Sequence, residues 1–428
     1  MRNVFRKPLR AGAAVAGVSL CLASAARAQA PPPKVEFDEA IRRALEQNPT
    51  VAEAAKNIQR AEALLQQSRA ITLPLVSAGI TNVTLDNARG FDGSVTQPQN
   101  QFSFTASASV PILSLARWAT VDQARDQIEV ANRSAADVRQ SIAVAAARTY
   151  LSVIAARRQV EVDERALETA RAHLDYAQKR LEGGAGSRLN QLRAAQEAAS
   201  DQARLEATRL ALSTAQEALG VVLASSGPVD AGSEPVFDTT TPSSEAEWIA
   251  ARTDLQFQAA VQRAAERVVR DSWRDNVPTA AVSFDPLFLT PSGLFQPSRT
   301  WRLSISMTHA LFEGGQRRAN ARLREVSRDQ ANLAFVGLQI QARSEVRLSQ
   351  EAVQALERAL TSARESAVHA NEVVKITTAA FEVGATTNLE VIDAQRSARD
   401  AETRRALAED AVQRVKLDLL VALGRFPK

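Results

Sequence analysis

The side chains best suited to catalysis or metal binding are few and far apart in this sequence. The histidines are His173, His309 and His369, and their separations do not match the short spacings of metal-binding motifs. Glu365 and His369 are four residues apart, but a lone pair of this kind is more often part of a solvated helix face. The glycine-rich run at 183–186 lacks the lysine of a phosphate-binding loop. We therefore expect no enzyme activity and no cofactor or metal.

One pair of carboxylates has a more suggestive spacing. Glu390 and Asp393 follow Gly384 and are three residues apart, so they share a face if this segment is helical. Carboxylates grouped around a common axis attract cations. A second interpretation is local, because Thr387-x-x-Glu390 has the form of a capping box and acids in a first turn favour the helix dipole. Both interpretations stay open for Glu390, whereas Asp393 lies beyond the cap.

The segment that carries these carboxylates occurs twice in the chain. Residues 381–395 read FEVGATTNLEVIDAQ, and residues 181–195 read LEGGAGSRLNQLRAA. In each copy a helical pattern ends at a glycine and another begins at once. The matched positions are Gly184 and Gly384, Ala185 and Ala385, Ser187 and Thr387, Leu189 and Leu389, Leu192 and Ile392, and Ala194 and Ala394. This repetition predicts two helical hairpins, with tips at 181–188 and 381–388, in a duplicated chain.

Long helical patterns lead to both tips. Residues 114–179 contain no glycine or proline, and a helix of that length is about 100 Å long. The matching pattern in the second half runs from 316 to about 380, and a helix this long implies a coiled coil or a helical barrel. Shorter helices are expected at 37–70 and 246–275, where each pattern stops before a proline.

Two pairs of alternating segments indicate β-strands. We expect strands at about 75–85, 101–113, 279–285 and 300–312. Phe102, Phe104, Trp301, Leu303 and Ile305 fall on the apolar face, and Ser103, Arg302 and Ser304 on the opposite face. A sheet that spans lipid must close, and four strands are fewer than the eight of the smallest barrels. Several chains would therefore have to share one barrel, with the apolar face toward lipid; a soluble sheet packed on helices is the alternative.

The first thirty residues have the composition of a secretory signal peptide. A basic segment at 1–10 precedes an uncharged run at 11–26, and Ala28-Gln29-Ala30 forms an A-x-A cleavage site. We expect cleavage after Ala30, with Ala28 as the alternative. The uncharged run is too short and too rich in alanine for a membrane span.

Removal of residues 1–30 changes the charge and the cysteine content. Cys21 is the single cysteine, and a lipoprotein is an alternative, but Leu20 stands where a lipobox needs a small residue. Five basic residues leave with this segment, so 52 Lys and Arg fall to 47 against 48 Asp and Glu. The nearly neutral mature chain gives no reason to expect nucleic acid as a partner.

The fold expected from these patterns is mainly α with a small β part. A helix–strand–strand–long helix–turn–helix unit occurs twice, at 31–228 and 229–428. This order resembles the TolC-type outer-membrane efflux protein family over nearly all of the mature chain. The motifs that carry the resemblance are FDEAIRRALEQNP at 37–49, ALFEGGQRRA at 310–319 and FEVGATTNLEVIDAQ at the second tip.

The resemblance implies an assembly and a function. Family members are homotrimers in the outer membrane, with a twelve-stranded β-barrel that continues into a periplasmic α-helical coiled-coil barrel. They serve as passive export conduits in tripartite efflux or type I secretion, and dock a periplasmic adaptor (membrane fusion protein) and an inner-membrane pump. A structural coiled-coil envelope spacer or a secreted adhesin is the alternative, although neither needs the strand pairs.

The resemblance also assigns roles to residues near the tips. Glu390 and Asp393 match the acidic positions of the family's pore constriction, where three chains would place six carboxylates. Thr386 and Phe381 are assigned to the same constriction; Thr386 stands where the family can carry an arginine, and Asn190 where the first half can carry an aspartate. The residues that match adaptor-contacting tips are Val383, Gly384, Ala385, Gly184 and Ala185. The glycines have a second interpretation, since a left-handed turn requires them.

Overall fold

The computed structural model of the chain describes residues 32–239 and 244–427. The predicted signal peptide at 1–30 lies outside the described residues. Within them the fold is mainly helical with a small sheet, and the helix–strand–strand–long helix–turn–helix order occurs twice, as predicted.

The first half contains four helices and most of the short strands. Its elements are β1 Lys34–Val35, α1 Phe37–Gln47, α2 Pro49–Ala70, β2 Leu75–Thr84, β3 Arg89–Phe91, β4 Ser94–Gln97, β5 Asn100–Leu113, α3 Leu115–Glu182 and α4 Arg188–Val222. The second half has the same order with fewer short strands. Its elements are β6 Asp230–Ala231, α5 Glu245–Ala251, α6 Thr253–Arg270, a 3₁₀ turn at Ser272–Asn276, β7 Thr279–Thr290, β8 Arg299–Thr308, α7 Gln316–Glu382 and α8 Asn388–Ala422.

The two long helices are continuous. The absence of glycine and proline at 114–179 predicted this for α3, and α7 continues through Gly337. Helix α3 has 68 residues and α7 has 67, so each is about 100 Å long. None of the helices in residues 32–239 and 244–427 combines the length and the hydropathy of a membrane span.

The main core lies midway along α3. The phenol of Tyr150 is fully buried there, among side chains from α1 and from the end of α4, while the end of α8 packs on neighbouring residues of α3. Alanines at 143, 146 and 147 are also fully buried, which lets the neighbouring helices approach α3 closely. Parallel pairing of β1 with β6 fastens the start of the described chain to the segment that joins the two halves.

The prediction of one helix at 37–70 and one at 246–275 is wrong, because each region contains two helices. In the first half the chain breaks at Asn48, which has an extended ψ of 126°, and α2 starts with Pro49 at its first position. Proline fits there because the first helical N–H groups have no partner within the helix. Arg252 occupies the matching break between α5 and α6, with a ψ of 122°.

The residues at the two breaks, Asn48 and Arg252, make equivalent hydrogen bonds in the two halves. The Asn48 side-chain amide donates to the Val222 carbonyl at the end of α4 at 2.9 Å. Arg252 donates to the matching Ala422 carbonyl at the end of α8 at 3.4 Å. Each break therefore satisfies a terminal carbonyl of a returning helix, which would otherwise lack a partner.

The four long strands form one antiparallel sheet in the order β2-β5-β7-β8. In this register Ile80 pairs with Phe104 and Phe104 with Phe288, while Phe284 pairs with Leu303. Directly paired residues share a face, so the apolar residues of all four strands lie together, as predicted. The outer edges of β2 and β8 have no strand partner among the described residues.

Three strand predictions need correction. Strand β7 was expected to end at 285 but continues to Thr290 through Pro286, and the β5–β7 ladder omits the pairs at Asp285 and Pro286, where proline has no N–H to donate. Strand β8 ends at Thr308 and not at 312. The predicted loop at 86–101 contains the short β3–β4 hairpin.

Candidate functional site at the hairpin tips

The two hairpin tips have the same backbone turn. Gly184 and Gly384 both lie in the left-handed region, with φ of 73° and 79°. The next residues, Ala185 and Ala385, donate their N–H to the carbonyl five positions back, at 2.9 Å and 2.8 Å. The glycines are therefore needed for the turn, since a Cβ is disfavoured at this φ.

The tip residues assigned to partner contact are at the surface. Val383 is 80% exposed, and Gly384, Ala385, Gly184 and Ala185 are exposed as well. Their position at the end of both hairpins leaves the backbone of the turns accessible to another protein.

Each returning helix is capped by a hydroxyl just after the turn. The Ser187 hydroxyl accepts from the Asn190 N–H, and the Thr387 hydroxyl from the Glu390 N–H, both at 3.3 Å. Thr387 therefore forms the hydroxyl half of the predicted capping box.

Glu390 and Asp393 lie on one exposed face of α8, as their spacing requires. The intervening Val391 and Ile392 are 0% and 3% exposed and point into the chain. Among the described residues, neither carboxylate has a Lys, Arg or His nitrogen within 4.0 Å. Neither carboxylate is therefore held in an ion pair, although Arg396 acts on Asp393 from a longer distance, and both can face another surface or a pore.

Phe381 and Thr386 lie inside the tip and not beside these carboxylates. The Phe381 side chain is buried, with ring centroids 5.5 Å from His173 and 5.8 Å from Tyr176. The Thr386 hydroxyl is buried and finds no partner in the described part of the chain. Because its side chain is buried within one chain, Phe381 is not seen to face a pore, and its role at the constriction stays a prediction.

A buried histidine joins the two hairpins. His173 Nε2 and Asn388 Oδ1 are hydrogen-bonded at 2.7 Å, and the Asn388 amide donates to the Asn190 carbonyl at 3.4 Å. Burial lowers the pKa of His173, and the bond to Asn388 offsets part of that shift. The sequence pattern gave no partner for His173, because Asn388 lies 215 positions away in the chain.

Arg180 contacts both hairpin turns. Its guanidinium lies 5.9 Å from the ring centroid of Tyr176 and 5.6 Å from that of Phe381. It donates to the carbonyls of Phe381 and Ala185, both at 3.4 Å. This residue was not singled out from the sequence, which shows no link between the two halves at this position.

Buried ion pairs fasten α4 to α8 above the tips. Arg396 Nη2 lies 2.5 Å from Glu197 Oε2, and Arg399 Nη1 lies 2.6 Å from Asp201 Oδ1. Glu197 and Asp201 are each only 4% exposed. Burial works against the charge of Arg399, but the carboxylates of Asp201 and Asp400 together outweigh it, so the pKa of Arg399 is raised. The two hairpins of one chain are therefore held together by charge as well as by packing.

A polar cavity of about 430 Å³ opens between the two turns. Both hairpins line it, and its charged lining residues are Arg180 and Arg193. No group of three or more His, Cys, Asp or Glu side chains in the described ranges is placed to hold a metal ion.

Comparison with known families gives a match over both halves of the chain. The model of the family described as outer membrane efflux protein matches residues 40–225 and 252–425. Outer membrane protein OprJ of Pseudomonas aeruginosa is 27% identical over 420 residues, which cover 91% of this chain and 84% of OprJ.

Solved structures share the fold at low sequence identity. A membrane protein from Pseudomonas aeruginosa has a TM-score of 0.80 at 23% identity and covers 90% of this chain and 93% of its own. The Campylobacter jejuni CmeC outer membrane channel has a TM-score of 0.79 at 16% identity, with 91% and 85% covered. The open state of the Neisseria gonorrhoeae MtrE outer membrane channel has a TM-score of 0.76 at 18% identity, with 91% and 88% covered.

Proposed function

The chain belongs to the outer membrane efflux protein family, and we propose that three copies of it form one channel that works with a periplasmic adaptor and an inner-membrane pump. Its function is efflux across the outer membrane, and its helices form a periplasmic tunnel. The spacer or adhesin alternative is therefore wrong. The repeat boundaries 31–228 and 229–428 are part of this proposal.

The observation that supports the trimer is the four-stranded sheet. Its edges, β2 and β8, each present a row of backbone donors and acceptors that lack strand partners in the described chain. Unpaired edges cannot sit in lipid, so β8 of one copy must pair with β2 of the next. Three copies then give twelve strands, which is within the size range of outer-membrane barrels.

The two faces of the sheet fit the two sides of a barrel wall. The apolar face carries Trp301, Leu303 and Ile305, which are 59–74% exposed in the single chain. On the other face the Ser107 hydroxyl donates to Asp285 at 2.7 Å, and Arg302 Nε lies 4.0 Å from the same carboxylate. A barrel with lipid on its outer surface and water in its lumen accounts for the difference between the apolar and the polar face.

The tips fit the far end of the tunnel. Their exposed turns are the surface to which an adaptor would bind, and Glu390 and Asp393 are the charges that would ring the mouth. A pump in the inner membrane would then deliver its cargo into the tunnel through this end.

Reconstitution tests the channel directly. The detergent-solubilised protein should have the mass of a trimer and should conduct ions in a planar bilayer. It should also restore drug export to a strain that lacks its own outer-membrane efflux channel. A monomer with full channel activity would contradict the shared barrel.

Arginine substitutions test the barrel wall. Leu303→Arg places a charge toward lipid and should cost about 2–4 kcal/mol of stability, whereas its neighbour Ser304→Arg faces water and should cost far less. The measurement is the thermal stability of the trimer in lipid vesicles. Equal tolerance at the two sites would show that the sheet does not face lipid.

A further inference from the structure

Contacts between α4 and α8 fix the relative height of the two helices. A diagonal contact joins Glu197 to Arg399, 202 positions apart. The other three contacts each join residues that are 198 or 199 positions apart. The pairs are Asn190 with Asn388, Glu197 with Arg396, and Asp201 with Arg399. A residue of α4 therefore lies level with the α8 residue about 198 positions later.

By this register Arg193 lies level with residues 391–392 of α8, between the heights of Glu390 and Asp393. The two hairpin turns and their caps are alike, so Arg193 also holds the same helical position in α4 that Asp393 holds in α8. Its side chain is exposed and lines the tip cavity opposite the first turn of α8, at Thr387–Leu389.

In residues 32–239 and 244–427, Arg193 has no carboxylate within 4.0 Å, and Glu390 and Asp393 have no cation within 4.0 Å. The nearby Arg396 guanidinium acts on Asp393 from a longer distance and is paired with Glu197. Arg180, the other arginine of the cavity, is engaged with the carbonyls of Phe381 and Ala185. At nearly the same height, the tip of one chain thus presents two carboxylates and one guanidinium that form no ion pair. Arg188, which begins α4, is also exposed, but it lies five residues nearer the turn than Arg193.

We propose that Arg193 is a specificity-determining residue of the constriction, where its charge opposes the cation attraction of Glu390 and Asp393. This inference rests on the proposed trimeric channel. Glu390, Asp393 and Arg193 of three copies then contribute six carboxylates and three guanidiniums to the mouth, and not a purely acidic ring. Charges separated by no more than a Debye length, about 8 Å in physiological salt, still act on one another and on a passing ion.

The sign of the effect follows from this arrangement. A permeating cation is attracted by the carboxylates and repelled by the three guanidiniums at the same level. Removal of Arg193 should therefore make the channel more cation-selective, and removal of Asp393 should make it less so. Removal of both should leave selectivity close to that of the unchanged protein.

The test is the reversal potential of the purified trimer in a planar bilayer under a KCl gradient. Arg193→Ala should raise the cation-to-anion permeability ratio about twofold or more, because one unit charge about 8 Å away in water changes the energy by roughly RT. Arg193→Lys keeps the charge and should keep the wild-type ratio. Asp393→Ala should lower the ratio, and the double variant should restore it.

Arg204→Ala is the matched control. Arg204 is an exposed arginine on the same helix, three turns from Arg193 and on nearly the same face. It lies away from the mouth, so its removal should change the ratio far less.

The outcomes separate this inference from the channel itself. A conducting wild-type trimer whose ratio is unchanged in Arg193→Ala, or changed as much in Arg204→Ala, overturns the role of Arg193 and leaves the channel intact. If Arg193→Lys behaves like Arg193→Ala, the effect is not one of charge, and the inference fails. Absence of any conductance from the wild-type trimer overturns the proposed channel and this inference together.

Discussion

The two hairpin tips share one turn but differ in what covers the helix that follows. On α8, Ile392 is 3% exposed, because this helix packs along α3 of the same chain. The matching Leu192 of α4 is 53% exposed, and Leu189 is 56% exposed. Within the described residues no helix covers α4 in the way that α3 covers α8.

The difference shows which contacts are completed in one chain and which are left for another copy. By the repeat, α7 corresponds to α3, so we expect α7 of a neighbouring copy to supply the missing cover of α4. Helix α7 has the surface for this contact, since Val368, Val373 and Ile376 are 49–66% exposed. Three chains arranged in a ring would give every α4 the cover that every α8 already has.

The largest effect is expected at the buried ion pairs of Glu197 and Asp201 with Arg396 and Arg399. They join α4 to α8 within a chain, but the positions that match Glu197 and Asp201 in α8 are Ser397 and Ala401, so no equivalent pair can form between chains. Arg399→Ala leaves the buried Asp201 carboxylate without its arginine partner, whereas Glu197 keeps Arg396, and should lower the unfolding free energy by about 3–5 kcal/mol. The measurement is thermal or denaturant unfolding of the purified protein.

Arg209→Ala is the control for this substitution. It removes an exposed pair with Glu164, in which both side chains are about half exposed, and should cost less than about 1 kcal/mol. A similar small loss for Arg399→Ala would mean that the α4–α8 contact is not held by these charges.

Truncation of the two matched apolar residues separates folding from assembly. Ile392→Ala empties a buried site and should lower the unfolding free energy by about 2–4 kcal/mol. Leu192→Ala should instead shift the trimer–monomer equilibrium, which mass photometry over a range of protein concentrations measures. If both variants weaken the same transition to the same extent, the tips do not differ in the way described.

The buried histidine predicts a smaller, pH-dependent effect. The lowered pKa of His173 means that the folded state disfavours the charged imidazole, so its contribution to stability is complete above the ordinary histidine pKa of about 6.5 and is lost as the pH falls. The melting temperature should therefore fall between pH 8 and pH 5.5. His173→Gln keeps a hydrogen-bond donor for Asn388 and should flatten this decrease; an unchanged pH profile would rule His173 out as its source.

The helices and their order could be predicted because their signals are local. Absence of glycine and proline set the length of α3, and Gly184 and Gly384 marked the turns. The apolar alternation in β5 and β8 gave the sheet faces correctly. Two predictions at prolines were wrong. Pro49 starts a new helix in a region that was predicted to be one continuous helix, and Pro286 lies inside a strand that was predicted to end before it.

The tip chemistry could be predicted only in part, because its contacts join residues about 200 positions apart. Glu390 and Asp393 were assigned to the constriction from the family resemblance, and their spacing correctly placed them on one face of α8, which is exposed; their role in a pore stays a prediction. The burial of Phe381 and the link between His173 and Asn388 depend on how one hairpin lies against the other, which no local pattern reports. The repeat offset was the one signal that could have placed Glu197 beside Arg396 and Arg193 near the height of Glu390 and Asp393.

The most direct test of the account uses a contact that the chain makes once internally and should make again between copies. His173 on α3 contacts Asn388 on α8, and the positions that match them are Val373 on α7 and Arg188 on α4. In a chain whose Cys21 has been replaced by alanine, Val373→Cys combined with Arg188→Cys should give disulfide-linked dimers and trimers on a non-reducing gel. Each single-cysteine chain is the control and should stay monomeric on the gel. A double variant that stays monomeric, or that cross-links only within one chain, would contradict the claim that α7 of one copy covers α4 of the next.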